Sequence, residues 1–478
     1  MNYRLMLRMM GNTLLVEALC LLLPLGVAVF YGEDVVPMLA ACLLIAAVGI
    51  PLSLLPAERQ FFAREGFVVV GGIWLVFCLF GALPFLFSGY FNGYINCFFE
   101  AVSGFTTTGA SILTQVENLP RSILFWRSFI SWIGGMGVLI FTLAFLPTVG
   151  GRTHHLVEAE SPGPMVSKLV PKTAESSKIL YGIYIALTVL ETICLRLAGM
   201  PWFDAVNHSF ATVCTGGFSI KNASVGAYGS PTIEIIITVF MLLCAINFAL
   251  YFLVLTGRLR QVFQSDETRF FLGVVAVSIF LITVNLQPLG QSIGDTLRQA
   301  AFQVASIITT TGFSSADFDL WPEFSRVVLV LLMFLGGCAG STAGGLKASR
   351  ILLLLRCIRR EIAQISHPRS VRVVKLDGKT VEEAKLHTVT TFFACYLLII
   401  GIGCLLVGLD NYTFTTTVTS VVSAMGNVGP GLATVGPMGN YAAFSELSKL
   451  VLSLCMLIGR LEIFPILVLF SPATWGRS

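Results

Sequence analysis

Ten long apolar segments constrain the fold of this chain more than any other feature. They lie at about 11–31, 35–55, 67–89, 122–147, 179–200, 231–256, 269–288, 326–355, 387–408 and 446–470 of the 478 residues. Roughly 20 apolar residues cross a bilayer as a helix. In hydrocarbon, every backbone N–H and C=O group must be paired within its segment or by neighbouring protein. The segments therefore predict an all-α polytopic membrane protein.

Composition supports this class and argues against two others. Charged residues make up 12% of the chain, whereas soluble domains carry about 25%. The net charge is +4, and the basic residues are not arranged for nucleic acid, so we expect no nucleic-acid partner. The 5 histidines form no catalytic or metal-binding set at helical spacing in the apolar segments, so we do not expect an enzyme. His154 and His155, near Glu158 and Glu160, resemble a metal cluster only loosely and are expected to lie in a solvated loop.

The distribution of basic residues predicts the orientation of the chain. Most of the 30 Lys and Arg residues lie near the N-terminus, in segments 57–66, 148–178, 257–269 and 347–385, and at the C-terminal end. These are alternate connections, so the positive-inside rule places them, with both termini, in the cytoplasm. We interpret the first two apolar segments as a retained hairpin rather than a cleaved signal peptide. The stretch 347–385 is a positive-inside anchor, a docking surface for a cytosolic partner, or both.

Four shorter apolar segments, at 94–103, 202–213, 295–308 and 412–425, are too short to span a membrane. We expect each to be a short helix that enters the membrane and returns, with an outer surface loop as the alternative. A polar turn containing glycine follows each segment. The turns are Thr106-Thr107-Thr108-Gly109, Cys214-Thr215-Gly216-Gly217, Thr309-Thr310-Thr311-Gly312 and Gly426-Asn427-Val428-Gly429. Such repetition predicts four units, each with an apolar helix, a short helix, a turn and a second apolar helix.

These units divide the chain into five parts. Residues 1–60 form an N-terminal hairpin outside the repeat, and residues 61–150, 151–260, 261–386 and 387–478 form the four units. Irregular backbone at membrane depth persists only where it lines a cavity or is buried in protein. Glycine permits backbone angles that other residues avoid. Four such turns around a pseudo-fourfold axis would present rings of carbonyl oxygens that replace the water shell of a cation.

The helix before each turn would add to this preference, because the C-terminal end of a helix is partly negative. The threonine hydroxyls of the turns either line the same path or cap backbone groups. The alternative is that the four turns only connect helices and have no role with ions. Four copies in register, each flanked by long apolar segments, favour the ion path.

With these residues the chain resembles the Trk/Ktr/HKT superfamily of potassium transporters, whose members fuse four M1–pore helix–M2 units in one polypeptide. The resemblance covers about residues 65–470. It implies a pseudo-fourfold pore with a selectivity filter at the four turns, and glycine at position 109 implies potassium rather than sodium. The residues implied to bind potassium are Thr107, Thr108, Gly109, Thr215, Gly216, Gly217, Thr310, Thr311, Gly312, Asn427, Val428 and Gly429.

The resemblance also implies partners and a location. It implies a homodimer in the bacterial inner membrane, regulated by a cytosolic nucleotide-binding subunit that is TrkA-like. The chain has no dinucleotide-binding motif of its own, so control by a nucleotide would come from that subunit. We expect no cofactor in this chain, and potassium is expected as the transported substrate.

The second helix of the third unit contains an unusual segment at 336–347, with the sequence Gly-Gly-Cys-Ala-Gly-Ser-Thr-Ala-Gly-Gly-Leu-Lys. So many glycines make a straight helix improbable. The segment serves either close packing between helices or a flexible intramembrane loop that gates the pore. The resemblance supports a gate. The candidate gate residues are Gly336, Gly337, Gly340, Ser341, Thr342, Gly344, Gly345, Lys347 and Arg460.

Several charged residues lie in or near apolar segments. Arg460 lies inside the last one, where a cation costs roughly 2.5–3.5 kcal/mol unless it faces protein or water. It acts either as an electrostatic barrier in the pore or in an ion pair with Glu462 or another acid. Residues two apart do not face each other on a helix, which argues against Glu462. Glu100, Asp204 and Asp295 either attract cations to the outer mouth or hold the short helices by hydrogen bonds.

Together these features predict channel-like potassium uptake, driven at least by the membrane potential. The alternative is a sodium- or proton-coupled potassium symporter, since broken helices and repeats also occur in such proteins. Two inverted halves would be expected there, whereas this sequence shows four similar units.

Overall fold

The structure is a computed structural model that describes residues 3–56, 63–137, 173–290, 292–368 and 372–472. In these ranges nearly all regular structure is helical, which confirms the predicted all-α class. Most of the predicted basic segment 148–178, with the loose cluster around His154, lies outside the described residues.

The N-terminal hairpin consists of helices Tyr3–Cys20 and Leu22–Tyr31, followed by Val36–Ser53. Its two arms approach closely at Gly11, where an added Cβ would lie 2.5 Å from the backbone nitrogen of Ser53. Small residues at such crossings let two membrane helices pack backbone to backbone. The hairpin packs against the first helix of the first unit.

The four predicted units are present, each with a first helix, a short helix and a second helix. The first helices are Ala63–Gly81 with Leu83–Ser88, Thr173–Leu197, Asp266–Leu286 and Glu383–Val407. Short helices 1 to 4 are Tyr94–Phe105, Trp202–Val213, Ile293–Ile308 and Phe414–Gly426. The second helices begin with Arg121–Gly135, Pro231–Cys244, Glu323–Leu335 and Glu446–Arg460. All four short helices are thus confirmed.

The second helices of units 2, 3 and 4 are broken, and the expectation of one continuous helix is wrong for units 2 and 4. Their continuations in units 2, 3 and 4 are Phe248–Leu255, Ala348–Ser366 and Phe464–Phe470. In unit 2 the axis bends by 92°, and the Asn247 side chain caps the new helix by accepting from Ala249 N at 2.9 Å. In unit 4, Glu462 and Ile463 take left-handed angles that end the helix.

These breaks change the number of spanning helices. Among the described residues, six helices are long and apolar enough to cross a membrane, or up to seven if the bent pair of unit 2 counts as one. The number is below the ten apolar segments because the second helices of units 2, 3 and 4 are built from pieces that are individually too short. The second helix of unit 1 is described only as far as residue 137.

The remaining regular structure is small. Helix Leu259–Phe263 precedes the first helix of unit 3, and strands Lys375–Leu376 and Lys379–Thr380 pair as an antiparallel hairpin. The hairpin turn has positive φ at both Asp377 and Gly378, which matches the twist of a tight hairpin. Short 3₁₀ turns lie at Ser224–Tyr228, Gln287–Leu289, Phe318–Leu320, Gly408–Asp410 and Ala433–Val435.

The surface of the long helices is strongly apolar. Leu405 is 77% exposed and Phe280 66% exposed, and many other large apolar side chains on these helices are also exposed. Soluble proteins rarely expose contiguous apolar patches of this kind. The polar turns lie in the interior instead, and Thr107, Thr310 and Asn427 are fully buried. The molecule is therefore apolar towards lipid and polar at its centre.

Candidate functional site at the four turns

The four turns share one backbone conformation. In each turn a non-glycine residue has a left-handed φ, namely Thr107 (54°), Thr215 (55°), Thr310 (59°) and Asn427 (54°). The glycine two residues later is also left-handed, with φ of 77°, 64°, 81° and 99° in chain order. The residue between them has no positive φ. Such alternation directs successive peptide groups the same way, so the turns can aim several carbonyl oxygens at one point.

The hydrogen bonds of the turns leave those carbonyl oxygens free. The N–H group before each glycine donates to the carbonyl oxygen five residues earlier at 2.8–2.9 Å; the donors are Thr108, Gly216, Thr311 and Val428. The carbonyl oxygens of Thr107, Thr108, Thr215, Gly216, Thr310, Thr311, Asn427 and Val428 accept no hydrogen bond from another described residue. Buried carbonyl groups are nearly always paired. These oxygens therefore call for a ligand.

The glycines show that the turns meet around one axis. A Cβ added to any of the four would lie 1.8–2.5 Å from a carbonyl oxygen of the next turn. The pairs are Gly109 with Gly216, Gly217 with Thr311, Gly312 with Val428, and Gly429 with Thr108. The contacts run from turn 1 to 2, 3, 4 and back to 1, so the turns form a closed ring. Each glycine is required both by its φ and by this close approach.

The threonine hydroxyls brace the turns. The hydroxyl groups of Thr106 and Thr108 lie 2.8 Å apart, and those of Thr309 and Thr311 lie 2.7 Å apart. Asn427 Nδ2 donates to Thr108 Oγ1 at 3.0 Å and so joins turn 4 to turn 1. Of the two roles considered for these hydroxyls, capping of backbone groups fits Thr106 and Thr215, which donate to Val102 O and Cys214 O, both at 2.6 Å. The Thr107 hydroxyl is buried without a hydrogen-bond partner among the described residues, so it can still line the path.

A buried ion pair stands behind the first turn. Glu100 is fully buried and accepts from Ser111 Oγ at 2.9 Å, from Ile112 N at 3.1 Å and from Arg127 Nε at 2.8 Å. Arg127 also donates to Ser219 O at 3.1 Å, just beyond the second turn. Glu100 therefore holds short helix 1 and does not attract cations at the mouth. Arg127 is not among the residues predicted from the sequence, although it is a charge within an apolar segment, the same signal that identified Arg460.

The other two acids lie nearer the surface. Asp204 accepts from the Tyr228 hydroxyl at 2.7 Å, which ties short helix 2 to the segment after its turn. Asp295 has a half-exposed side chain and pairs with Arg298 at 2.8 Å. The hydrogen bond from Ser292 and the Arg298 guanidinium hold the pKa of Asp295 below its ordinary value. Asp204 fits the holding role, whereas Asp295 is a charged carboxylate at the start of short helix 3.

Replacing Arg127 with alanine is expected to lower the free energy of unfolding by about 3–5 kcal/mol, because the buried Glu100 carboxylate would lose its counter-charge. Thermal unfolding of the purified protein in detergent measures the effect. Lys385→Ala is the control, because it removes an exposed ion pair with Glu382 that is worth at most about 1 kcal/mol. Equal melting temperatures for the two variants would contradict the bracing role.

The loop 336–347 lies directly against the turns. Gly336, Gly340 and Gly345 have φ of 73–75°, which no helix contains, so the predicted interruption is confirmed. Gly344 N donates to Thr310 Oγ1 at 2.6 Å in turn 3. Thr342 Oγ1 donates to the carbonyl oxygen of Val213 at 3.1 Å, at the end of short helix 2. The loop thus reaches units 2 and 3 at once.

The same loop contacts unit 4 and, through a side chain of unit 4, is connected with unit 1. A Cβ on Gly344 would lie 2.5 Å from Gly426 O, beside turn 4. Arg460 donates to Thr342 O at 2.7 Å through one terminal nitrogen, and through the other to Gly134 O at 2.6 Å and to Gly135 O. The loop of unit 3 therefore contacts units 2 and 4 directly and is connected with unit 1 through Arg460.

Glu462 has a different partner from the one considered in the sequence. Its carboxylate pairs with Arg350 at the start of helix Ala348–Ser366, and the Arg350 guanidinium lies 4.0 Å from the centre of the Phe392 ring. An Arg460–Glu462 pair is therefore not what fixes this carboxylate. The left-handed φ of Glu462 turns it out of the helix that carries Arg460.

A cavity of about 80 Å³ adjoins the loop, and Ser341, Lys347, Arg460 and Glu462 are among its lining residues. Lys347 is buried, and its ammonium group donates to Ala343 O within the loop. The cavity has room for a few water molecules only. Two cationic side chains against one carboxylate make it unfavourable for a cation in this conformation.

The described residues contain no group of three or more His, Cys, Asp or Glu side chains that could hold a metal ion. The site thus consists of a ring of main-chain oxygens, a polar brace behind it and a glycine-rich loop across one end. This arrangement is suited to binding and passing a cation.

The chain is similar over most of its length to proteins of one family. The TrkH family model, described as a cation transport protein, matches residues 36–476. The potassium uptake protein TrkH of Salmonella typhimurium is 40% identical over 486 residues, which covers 99% of this chain and 100% of the relative. TrkH of Escherichia coli is 42% identical over 421 residues and covers 86% of each chain. The crystal structure of the potassium transporter TrkH from Vibrio parahaemolyticus matches with a TM-score of 0.89 at 34% identity, covering 100% of both chains.

Proposed function

The chain belongs to the TrkH family of cation transport proteins, and from this premise we propose that it takes up potassium through the ring of four turns. The superfamily predicted from the turns is confirmed, and so is the TrkH branch, which the additional N-terminal hairpin favours. The family is one of transporters rather than enzymes, and the relatives described above are named for potassium uptake.

One observation carries the proposal: main-chain oxygens that accept no hydrogen bond from the described residues lie in a closed ring of four turns. We propose that residues 107–109, 215–217, 310–312 and 427–429 form the selectivity filter and bind potassium there. Carbonyl oxygens replace the hydration shell of a dehydrated cation. The four short helices end at the turns, so their partly negative ends add to the attraction.

The loop 336–347 is proposed as the gate, with Arg460 as its anchor. Its contacts with turn 3, with units 2 and 4, and through Arg460 with unit 1 support this proposal. The adjoining cavity supports a closed state, because Lys347 and Arg460 oppose the entry of a cation. Opening then requires the loop to move and Arg460 to release Thr342.

The orientation follows from the basic residues beyond the loop. Helix Ala348–Ser366 carries Arg356, Arg359 and Arg360, and the positive-inside rule places such a cluster in the cytoplasm. The ring then opens to the outside, and both termini lie in the cytoplasm. The relatives are bacterial, so the proposed location is the bacterial inner membrane.

Partners are proposed on the same cytoplasmic face. A TrkA-like nucleotide-binding subunit would dock on the basic stretch 347–385, and a second copy of the chain would complete a homodimer. Helix Ala348–Ser366 exposes an apolar stripe of Ile358, Ile362 and Ile365, of which Ile365 is 81% exposed. An apolar stripe on a helix outside the lipid supports a protein partner.

The alternative, a symporter coupled to sodium or protons, is distinguished by flux measurements. The purified protein in liposomes should accumulate rubidium, a potassium analogue, when a potential of 100 mV is imposed. That potential supplies about 2.3 kcal/mol per charge, or roughly a 50-fold gradient. Excess sodium outside should compete weakly, and protein-free liposomes are the control. Proton or sodium entry in fixed ratio to rubidium would overturn the uncoupled mechanism.

A further inference from the structure

One buried carboxylate ties the two ends of the gate loop together. Glu267, the second residue of helix Asp266–Leu286, is only 8% exposed. Its Oε1 atom accepts from Ala339 N at 2.7 Å and from Ser349 N at 3.0 Å. Ala339 lies in the first half of the loop, and Ser349 lies in the first turn of the helix that follows it. A single acceptor atom therefore binds the chain on both sides of the loop's centre.

The residue beside it holds the cytoplasmic hairpin. Asp266 Oδ2 accepts from Asp377 N at 3.0 Å, and Asp266 N donates to Asp377 Oδ1 at 2.7 Å. Asp266 also pairs with Arg356 at 3.0 Å, and Arg356 donates to Lys375 O in the hairpin. Two consecutive acids at one helix start thus bond the hairpin on one side and the gate loop on the other.

The other contacts of the loop run to different elements. Phe248 N donates to Gly340 O at 3.0 Å, and Cys338 N donates to Ala245 O at 2.9 Å, both at the break in unit 2. Arg460 holds the middle of the loop from unit 4. These contacts connect the loop with the interior of the bundle. Glu267 connects both ends of the loop with the helix start that carries the hairpin.

We infer that Glu267 is a positioning residue that latches the gate loop, and that Asp266 transmits movements of the hairpin 375–380 to this latch. The inference rests on the proposed gate function. A carboxylate makes strong hydrogen bonds to N–H groups, and they weaken steeply when distance or angle changes. Because Oε1 is buried, no solvent replaces a lost bond. A small shift of the start of helix Asp266–Leu286 therefore breaks the hydrogen bonds from Ala339 and Ser349 together.

The test compares Glu267→Ala with Glu267→Gln in liposomes that contain no cytosolic partner. Alanine removes the acceptor, whereas glutamine keeps an amide oxygen that both N–H groups can reach. Glu267→Ala is expected to raise basal rubidium flux about tenfold or more, since charged hydrogen bonds of this kind are lost. Glu267→Gln should stay within about threefold of the parent. Neither variant should change the potassium-to-sodium ratio. Glu361→Ala, an exposed acid on the cytoplasmic side, is the control.

A flux change with an altered ion ratio would place the effect at the filter and overturn the latch, as would parental flux in folded Glu267→Ala. Shortening the loop by deleting residues between Gly340 and Gly345 separates this from failure of the gate itself. If the deletion alters flux and Glu267→Ala does not, only the latch is wrong. If neither alters flux, the gate proposal has failed.

Asp377→Ala tests the transmission and does not depend on a buried substitution, because Asp377 is exposed. It should raise basal flux in the parent and add little in the Glu267→Ala background, since both act on one link. Parental flux in the single variant, or independent effects in the double variant, would overturn the connection through Asp266.

Discussion

Gly109→Ser is expected to reduce potassium-over-sodium discrimination by about tenfold or more, which corresponds to about 1.4 kcal/mol. Its Cβ would lie 2.3 Å from Gly216 O, so this oxygen of the neighbouring turn must move. A displaced oxygen no longer matches the spacing of its ring, and a smaller or partly hydrated cation then competes better. Rubidium uptake into liposomes, with sodium as competitor, measures the ratio.

Gly89→Ser is a matched control for this substitution. Gly89 lies in the same unit and has φ of 73°, against 77° for Gly109, but an added Cβ there meets nothing within 4 Å. Both variants carry the same left-handed strain, roughly 1–2 kcal/mol, and only Gly109→Ser disturbs a ring oxygen. If folded Gly109→Ser keeps the parental ratio, the filter assignment is wrong.

Arg460→Ala is expected to raise rubidium flux about tenfold or more without changing ion preference, because the gate loop loses its anchor at Thr342 and the adjoining cavity loses a positive charge. The guanidinium joins the loop to the carbonyl oxygens of Gly134 and Gly135. Without the guanidinium, the loop loses this connection with units 4 and 1. Single-channel or liposome flux measurements show the change.

Arg460→Lys separates the two contributions. Lysine keeps the charge but lacks the planar fork that reaches three carbonyl oxygens at once. Low flux in the lysine variant means that charge alone closes the path, and high flux means that the forked hydrogen bonds do. Unchanged flux in both variants would remove Arg460 from the gate.

The repeat, the short helices and the turns were accessible from the sequence because each has a local cause. Length separates a short helix such as Trp202–Val213 from a spanning one. Glycine marks the left-handed position in each turn, for example Gly312 with φ of 81°. The non-glycine left-handed residues, such as Thr310, were not predicted, because their conformation depends on hydrogen bonds with short helix 3 and the gate loop.

The breaks in the second helices depend on partners far along the chain. An apolar segment has the same composition whether its helix is straight or bent, so residues 231–256 gave no sign of the 92° bend. At the bend, Phe248 N finds its acceptor in Gly340 O, more than ninety residues away. The Glu100–Arg127 pair and the Glu267 contacts likewise need the tertiary arrangement that brings them together.

The four turns contact one another in a closed ring, but they belong to a single chain. In a tetramer of identical chains, a substitution alters all four turns at once. Here each turn is encoded separately. Position 427 is therefore asparagine, whereas the equivalent positions 107, 215 and 310 are threonine. Because neighbouring turns are in contact, a substitution in one turn also affects the next. The four turns of this chain can therefore diverge one at a time, within the limits set by the contacts between neighbouring turns.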